Sequence, residues 1–106
     1  MGYRLNVAKV YKVEYGMSGF NHQVDAVHKL LAVHCKKCFF NEDDTHIEVD
    51  CDEFLKLAVI VRSMSDDEFL EYGFDEWCPK EYVHDTLLRM YIEADNSNEY
   101  IHLFWF

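Results

Sequence analysis

The feature that most constrains the fold is the end of the sequence, where residues 100–106 read YIHLFWF. These residues are apolar on both of the faces that a strand would present, which is typical of the centre of a sheet. Left uncovered, such a segment would pair with other copies and aggregate. We therefore expect residues 100–106 to form a central strand that belongs to the core, and not a free tail.

Hydrophobic periodicity predicts further strands and helices upstream. Residues 3–15 alternate between apolar and polar positions, as a half-buried strand does, and residues 45–49 alternate as a second strand. Asn21 is the predicted cap of a helix that ends at about 33–35. Residues 54–64 are apolar on nearly every side, which predicts a helix buried on most of its circumference.

Capping patterns indicate where the remaining helices begin. Asp50 followed by Glu53, and Ser65 followed by Glu68, match the capping box of a helix N-terminus. Pro79 suits the first turn of a last helix. The predicted order β-α-β-α-α-α-β indicates a small α+β domain, with a mainly antiparallel sheet of about three strands packed against three to four helices.

Composition limits the class of protein. The chain has 106 residues, of which 50% are hydrophobic and 16% aromatic, so we expect a single domain over 1–106 and not a disordered acidic tail. The longest apolar run, residues 57–61, is far shorter than the roughly 18–20 residues of a membrane span. The N-terminus lacks the pattern of a secretion signal, and the four cysteines are expected to be reduced thiols in a cytoplasm.

Charge is divided unequally along the chain. Residues 1–41 carry six Lys/Arg against two acids, whereas residues 42–106 carry eighteen acids against four bases, which together give the net charge of −10. The local balance of −14 exceeds the magnitude of about 2–8 that keeps a small domain soluble. One sign of charge concentrated in one part of a chain bears on the choice of partner and on the association rate.

This acidic part is the predicted contact surface for a basic protein. Carboxylates interleaved with exposed aromatic rings can imitate a nucleic-acid backbone and enter a groove built for phosphates. The candidate contact residues are Glu42, Asp43, Asp44, Asp66, Asp67, Glu68, Glu71, Asp75, Glu76 and Trp77. The candidates for exposed aromatic residues are Phe69, Tyr72, Phe74, Trp77 and Tyr82. The alternative interpretation is that the acids only keep an aromatic-rich protein soluble.

A second hypothesis is a zinc-stabilised regulatory or binding domain. Cys35 and Cys38 have the spacing of a zinc-binding pair, and Cys51 with His46, or with His34 in its place, would complete four ligands. The downstream half lacks a second Cys-x2-Cys or His-x3–5-His pair, so the match is half a motif. The two lysines between the cysteines would lower the thiol pKa values, which also admits a redox site. The plain alternative is two structural thiols.

A third hypothesis is a small metal-dependent enzyme that uses the acidic cluster of residues 43–52. The oxygen-rich residues in question, which would suit Mg²⁺ or Ca²⁺, are Asp43, Asp44, His46, Glu48, Asp50 and Asp52. If residues 45–49 form a strand with Ile47 inward, Glu48 faces water and Asp50 caps a helix instead. No nucleophile with its base and no glycine-rich phosphate loop is recognisable in the sequence.

The favoured hypothesis is a non-enzymatic protein-binding module that occupies a basic, nucleic-acid-binding surface of a nuclease or similar protein, which would make it an inhibitor. The profile (short, acidic, one domain, no catalytic motif) resembles the small inhibitors that phages direct at host nucleases, including anti-CRISPR proteins. That resemblance implies action in the cytoplasm of a host cell and assigns no residue. Direct binding to nucleic acid is disfavoured because the net charge of −10 repels phosphate. Homodimerisation through a strand edge is physically allowed.

Overall fold

The computed structural model describes most of the chain: residues 5–8, 15–17, 20, 23–43, 45–94 and 99–105. Its elements are β1 (Leu5–Ala8), β2 (Tyr15–Met17), α1 (Val24–His34), β3 (Cys38–Phe40), β4 (His46–Asp50), α2 (Cys51–Ser63), α3 (Asp66–Leu70), α4 (Lys80–Glu93) and β5 (Tyr100–Trp105). The strands form one antiparallel sheet in the order β2-β1-β5-β4-β3. The α+β class is thus confirmed, although the described residues form five strands and not about three.

The additional strands come from two short edge elements. β1 and β2 pair antiparallel, with Val7 opposite Gly16, so the prediction of a single strand over residues 3–15 is wrong. β3 pairs with β4, with Cys38 opposite Val49, and the sequence analysis predicted no strand there. Three-residue strands carry too little periodicity to be recognised in a sequence. Asn21 lies outside the described residues, and α1 follows Gln23, which makes no side-chain capping bond.

The C-terminal strand lies at the centre of the sheet as predicted, because β5 pairs with β1 on one side and β4 on the other. Ile101, Leu103 and Trp105 are buried, and they form the inner face together with alternate residues of the neighbouring strands. The side chains between them stay half-exposed on the other, outer face. The prediction that both faces are covered is therefore wrong. Phe106 lies outside the described residues.

The inner face of the sheet and the helices share one hydrophobic core. α2 contributes Phe54, Leu57 and Val61, each at most 1% exposed. Its Leu55 and Val59 face solvent, so this helix is buried along one side and not around most of its circumference as predicted. None of the helices in the described part of the chain has the length and apolar character that crossing a bilayer demands.

The predicted caps of α2 and α3 are confirmed, but one carboxylate has a different role. Asp50 Oδ2 accepts the Glu53 backbone N–H at 3.0 Å, which caps α2. The Glu53 carboxylate does not return this bond to the cap residue. It accepts the backbone N–H groups of Lys36 and Lys37 at 2.9 and 2.6 Å, and so ties the turn after α1 to the start of α2.

Candidate functional site

The stretch between α2 and α4 that we name the acidic segment (residues 66–77) carries most of the predicted contact residues. α3 forms its first part because Ser65 Oγ accepts the Glu68 backbone N–H at 3.1 Å. Acids in the first turn of a helix are also favoured by the helix dipole. At Gly73 the chain turns with a φ of 83°, which residues with a side chain rarely adopt.

Aromatic side chains anchor the acidic segment from beneath. Phe69 is buried, and its ring stacks parallel to that of Phe74 at 5.4 Å. Tyr72 is also buried, with its hydroxyl 2.7 Å from His34 Nε2. The prediction that Phe69 and Tyr72 are exposed is therefore wrong, because they face the core from a segment whose polar residues face solvent. Trp77 is 78% exposed, as the sequence analysis proposed.

Polar contacts to α1 and the residue before it hold the backbone of the acidic segment in place. Gln23 Oε1 accepts the Asp75 backbone N–H at 3.1 Å. Lys29 Nζ donates to the Glu71 carbonyl oxygen at 2.9 Å. Within the segment, Asp75 Oδ1 accepts the Trp77 backbone N–H at 3.3 Å. The carboxylates and Trp77 are thus carried by a chain that other elements fix at several points.

The acidic segment has a net negative charge. Its six carboxylates all belong to exposed residues, namely Asp66, Asp67, Glu68, Glu71, Asp75 and Glu76. Among the described residues, Lys29 donates to a backbone carbonyl of the segment, and Lys80 Nζ lies 3.2 Å from Asp66 Oδ1. The Lys80–Asp66 contact is an ion pair at the surface, which contributes little energy, and the six carboxylates exceed these two lysines by four charges.

The local negative field also affects two neighbouring side chains. Burial raises the pKa of Tyr72, and the carboxylates of Glu68 and Glu71 raise it further. Burial likewise raises the pKa of the Cys78 thiol, with a further contribution from Asp75. Both effects have the direction expected near a concentration of negative charge.

Leu70 is a feature of the acidic segment that the sequence analysis missed. Its side chain is 70% exposed, on the solvent side of α3. The neighbouring Phe69 occupies the inward position of this short helix, so the next residue must point away from the core. The position of Leu70 directly after Phe69 was therefore the sequence signal that could have predicted its exposure. The segment therefore presents two large apolar side chains, Leu70 and Trp77, among its carboxylates.

The remaining predicted contact residues lie elsewhere. Glu42 and Asp43 are exposed in the turn that joins β3 to β4, and Asp44 lies outside the described residues. Asn41 shapes this turn, because its Oδ1 accepts the backbone N–H groups of Thr45 and His46 at 2.8 and 3.0 Å. This turn belongs to the edge of the sheet, whereas the acidic segment lies between the helices α2 and α4.

The four predicted zinc ligands are not brought together. Cys38 packs against the core opposite the buried Val49, whereas His46 belongs to the outer face of the sheet. Among the described residues, which include all four cysteines, the group of three potential ligands within 4.8 Å of one another contains no cysteine. The strand register places His46 on the face of the sheet opposite to Cys38, so the four proposed ligands do not form one group.

The thiols of Cys35 and Cys38 are also poorly suited to metal or redox chemistry. Burial raises the pKa of the Cys35 thiol to about 12, with further contributions from Cys38, Glu53 and Asp50. Burial and Glu53 raise the pKa of Cys38 to about 11. The prediction that the adjacent lysines lower the thiol pKa values is therefore wrong. Both lysines are exposed, while carboxylates and the core surround the sulfur atoms.

Alkylation rates test this account of the thiols. At pH 8 the native protein should react with iodoacetamide at Cys35 and Cys38 at least about tenfold more slowly than the urea-unfolded chain, because a raised pKa leaves less thiolate. Mass spectrometry of quenched samples gives the rate at each cysteine. Equal rates in native and unfolded protein would contradict the buried, acid-flanked environment.

The acidic cluster of residues 43–52 is divided among different roles. Asp50 caps α2, and Asp52 is exposed in its first turn. Glu48 lies on the outer face of β4, as predicted, where it is half-exposed. What the structure does bring together is Glu48 with His46 and with His102 of β5. His102 was missed as a partner because it is 56 residues from His46 in the chain.

A concave site lies elsewhere on the surface. A cleft of about 440 Å³ is lined by Arg62, Lys80, Glu81, His84 and Asp85, near the end of α2 and the start of α4. None of these lining residues belongs to the 43–52 cluster. The His84 Nδ1–H group donates to the Ala58 carbonyl oxygen at 2.8 Å, which fixes its ring between the two helices.

Comparison of the chain with known protein families, with curated proteins and with solved structures finds no match. The chemistry and geometry of the side chains therefore carry the functional proposal.

Proposed function

We propose that the protein is a non-enzymatic binding module that presents its acidic segment to a basic surface on another protein. A groove that normally holds nucleic acid, as in a nuclease, has the matching charge and is the partner surface we favour. The observation that supports this most is Trp77, which is 78% exposed on a segment that also exposes six carboxylates. Occupation of such a groove would inhibit the partner.

The carboxylates would supply steering and orientation. Lysines and arginines that bind phosphates also form charge-assisted hydrogen bonds with carboxylates, and a bidentate arginine pair fixes geometry as well. Complementary charge raises the association rate more than it raises affinity, and salt screens it. We therefore expect binding that weakens as the ionic strength rises.

Trp77 and Leu70 would supply the apolar contribution. Tryptophan is enriched among the residues that dominate binding energy, where it fills a pocket that excludes water. Because the aromatic anchors and the bonds to Gln23 and Lys29 already order the segment, little conformational entropy would be lost when it docks. This combination favours a docking surface over acids that only confer solubility.

Two matched sets of variants test the proposal against guide-loaded CRISPR nucleases and other basic nucleases. Asp67→Asn, Glu71→Gln and Glu76→Gln together remove three charges from the acidic segment. Glu81→Gln, Asp85→Asn and Glu99→Gln remove three charges from exposed residues elsewhere. The first set should weaken binding at least about tenfold. The second set should weaken it by much less, because its charges lie outside the proposed contact surface.

The apolar contribution has its own pair of variants. Trp77→Ala should cost about 2 kcal/mol or more of binding free energy if this side chain is a hot spot. Ile92→Ala is the control, since Ile92 is 74% exposed on α4 and outside the segment.

Two outcomes would contradict the proposal. One is equal binding by both sets of charge variants, and the other is that the wild-type protein binds no nuclease in the panel.

A further inference from the structure

We propose that His46, Glu48 and His102 form a binding site for one divalent first-row transition-metal cation, with Zn²⁺ as the reference ion. The site lies on the outer face of the sheet and shares no residue with the acidic segment. It is therefore independent of the proposed function. We refer to these three residues as the His-Glu cluster.

The strand register brings the His-Glu cluster together. His46 and Glu48 are two residues apart on β4, so both side chains project from the same face. His102 lies on the central strand β5 directly opposite Glu48. All three positions are in paired strands, whose backbones are more rigid than loops, and a site on such a scaffold is already organised before the ion arrives.

The distances between the ligand atoms are close to those that a metal requires. His46 Nε2 lies 3.1 Å from His102 Nδ1, and the latter lies 3.8 Å from Glu48 Oε1. Two ligands of a tetrahedral Zn²⁺ are about 3.4 Å apart, given bonds of about 2.0–2.1 Å. Small side-chain rotations are therefore enough to place an ion at bonding distance from all three atoms, which lie within 4.8 Å of one another.

An aromatic neighbour holds one of the imidazoles in place. The Phe104 ring stacks on that of His46 with centroids 4.4 Å apart and planes 9° apart, which restricts the rotation of the imidazole. This contact orients His46 towards the other two members of the His-Glu cluster, so little side-chain freedom would be lost when an ion binds.

The ligand set selects the class of ion and leaves room for a further ligand. Two imidazole nitrogens and one carboxylate oxygen suit Zn²⁺, Ni²⁺, Co²⁺ and Cu²⁺ better than Mg²⁺ or Ca²⁺, which prefer an all-oxygen shell. The side chains of His102 and Glu48 are 36% and 43% exposed, so water reaches the cluster. Three protein ligands with water in the remaining position is the arrangement of an open zinc site.

Titration of the intact protein with Co²⁺ tests the inference, followed by displacement with Zn²⁺. The wild-type protein should bind one equivalent, with ligand-field absorption of a low-coordinate ion and without a thiolate-to-cobalt charge-transfer band. Zn²⁺ should displace Co²⁺, because Zn²⁺ has no geometric preference from d electrons and loses none in a low-coordinate site. Mg²⁺, which prefers oxygen ligands, should not displace it. His102→Gln should weaken binding by more than the roughly 10- to 100-fold that loss of an outer-shell partner costs.

Matched variants separate this site from adventitious binding. Two control variants should bind Co²⁺ as the wild type does: His34→Gln, which makes the same change on α1, and Cys38→Ser, which removes a thiol. Circular dichroism of the metal-free variants shows which of them are folded. If His102→Gln does not fold, Glu48→Gln takes its place, because Glu48 is at a half-exposed position. The inference is overturned if the wild type binds no Co²⁺ at millimolar metal, if the cluster variants bind like the wild type, or if Cys38→Ser abolishes binding.

Discussion

Replacement of Leu103 by alanine is expected to lower the free energy of unfolding by about 2–5 kcal/mol. Leu103 is fully buried at the middle of the central strand, opposite Val7 on β1 and Ile47 on β4. Neighbours from two strands and from the helices surround Leu103. The cavity that truncation leaves therefore cannot be filled by a small shift of one element. A loss of this size is a large part of the roughly 5–15 kcal/mol that stabilises a typical domain.

Urea unfolding followed by far-UV circular dichroism measures this effect. The matched control is Leu70→Ala, which deletes the same atoms from a side chain that is 70% exposed. That control should change the free energy of unfolding by about 0.5 kcal/mol or less. Equal losses in the two variants would show that β5 is not the buried centre of the sheet.

Glu53→Ala has the second large effect, an expected loss of about 2 kcal/mol. The Glu53 carboxylate accepts two backbone N–H groups, from Lys36 and Lys37, at 2.9 and 2.6 Å. Bonds to a charged acceptor contribute roughly 1.5–3 kcal/mol each in favourable cases, and the half-exposed position of Glu53 reduces that value. Its removal leaves the two backbone N–H groups to water and releases the link between the turn after α1 and the start of α2.

Asp52→Ala is the control for Glu53→Ala, because both residues are acids in the first turn of α2 and share any helix-dipole contribution. Asp52 is exposed, and its loss should cost about 0.3–1 kcal/mol. Glu53→Gln keeps one oxygen acceptor and should fall between the wild type and Glu53→Ala. The urea midpoint checks all three, and equal midpoints for Asp52→Ala and Glu53→Ala would contradict a tertiary role of Glu53.

Elements with strong local signals could be predicted from the sequence. Asp50 and Ser65 cap helices as expected, because a cap needs only a side-chain oxygen and an N–H group three residues later. The run of apolar residues in β5 indicated its central position, since an edge strand of that composition would aggregate. Each of these inferences uses residues close together in the chain.

Features that depend on contacts distant in the chain could not be predicted. Glu53 fits the capping-box pattern, yet its carboxylate binds a turn 16 and 17 residues away. The alternation in residues 3–15 has no glycine or proline to mark a reversal, so the β1–β2 pairing was hidden.

The candidate sites show the same limit. The acidic segment was recognised from its charge, but which aromatic rings anchor it depends on packing against α1. The His-x-Glu spacing on β4 is visible in the sequence, whereas the arrival of His102 depends on how β4 pairs with β5. Residue types could therefore be listed from the sequence, and their grouping required the fold.

The most direct test of the central claim is the dissociation constant of the complex with a basic nuclease, measured as a function of salt. A docking surface made of unneutralised carboxylates should weaken by about tenfold or more between about 0.05 and 0.5 M salt. The variant Asp67→Asn, Glu71→Gln and Glu76→Gln should show a shallower dependence on salt. A dissociation constant that stays the same across this range, for both proteins, would contradict an electrostatic role for the acidic segment.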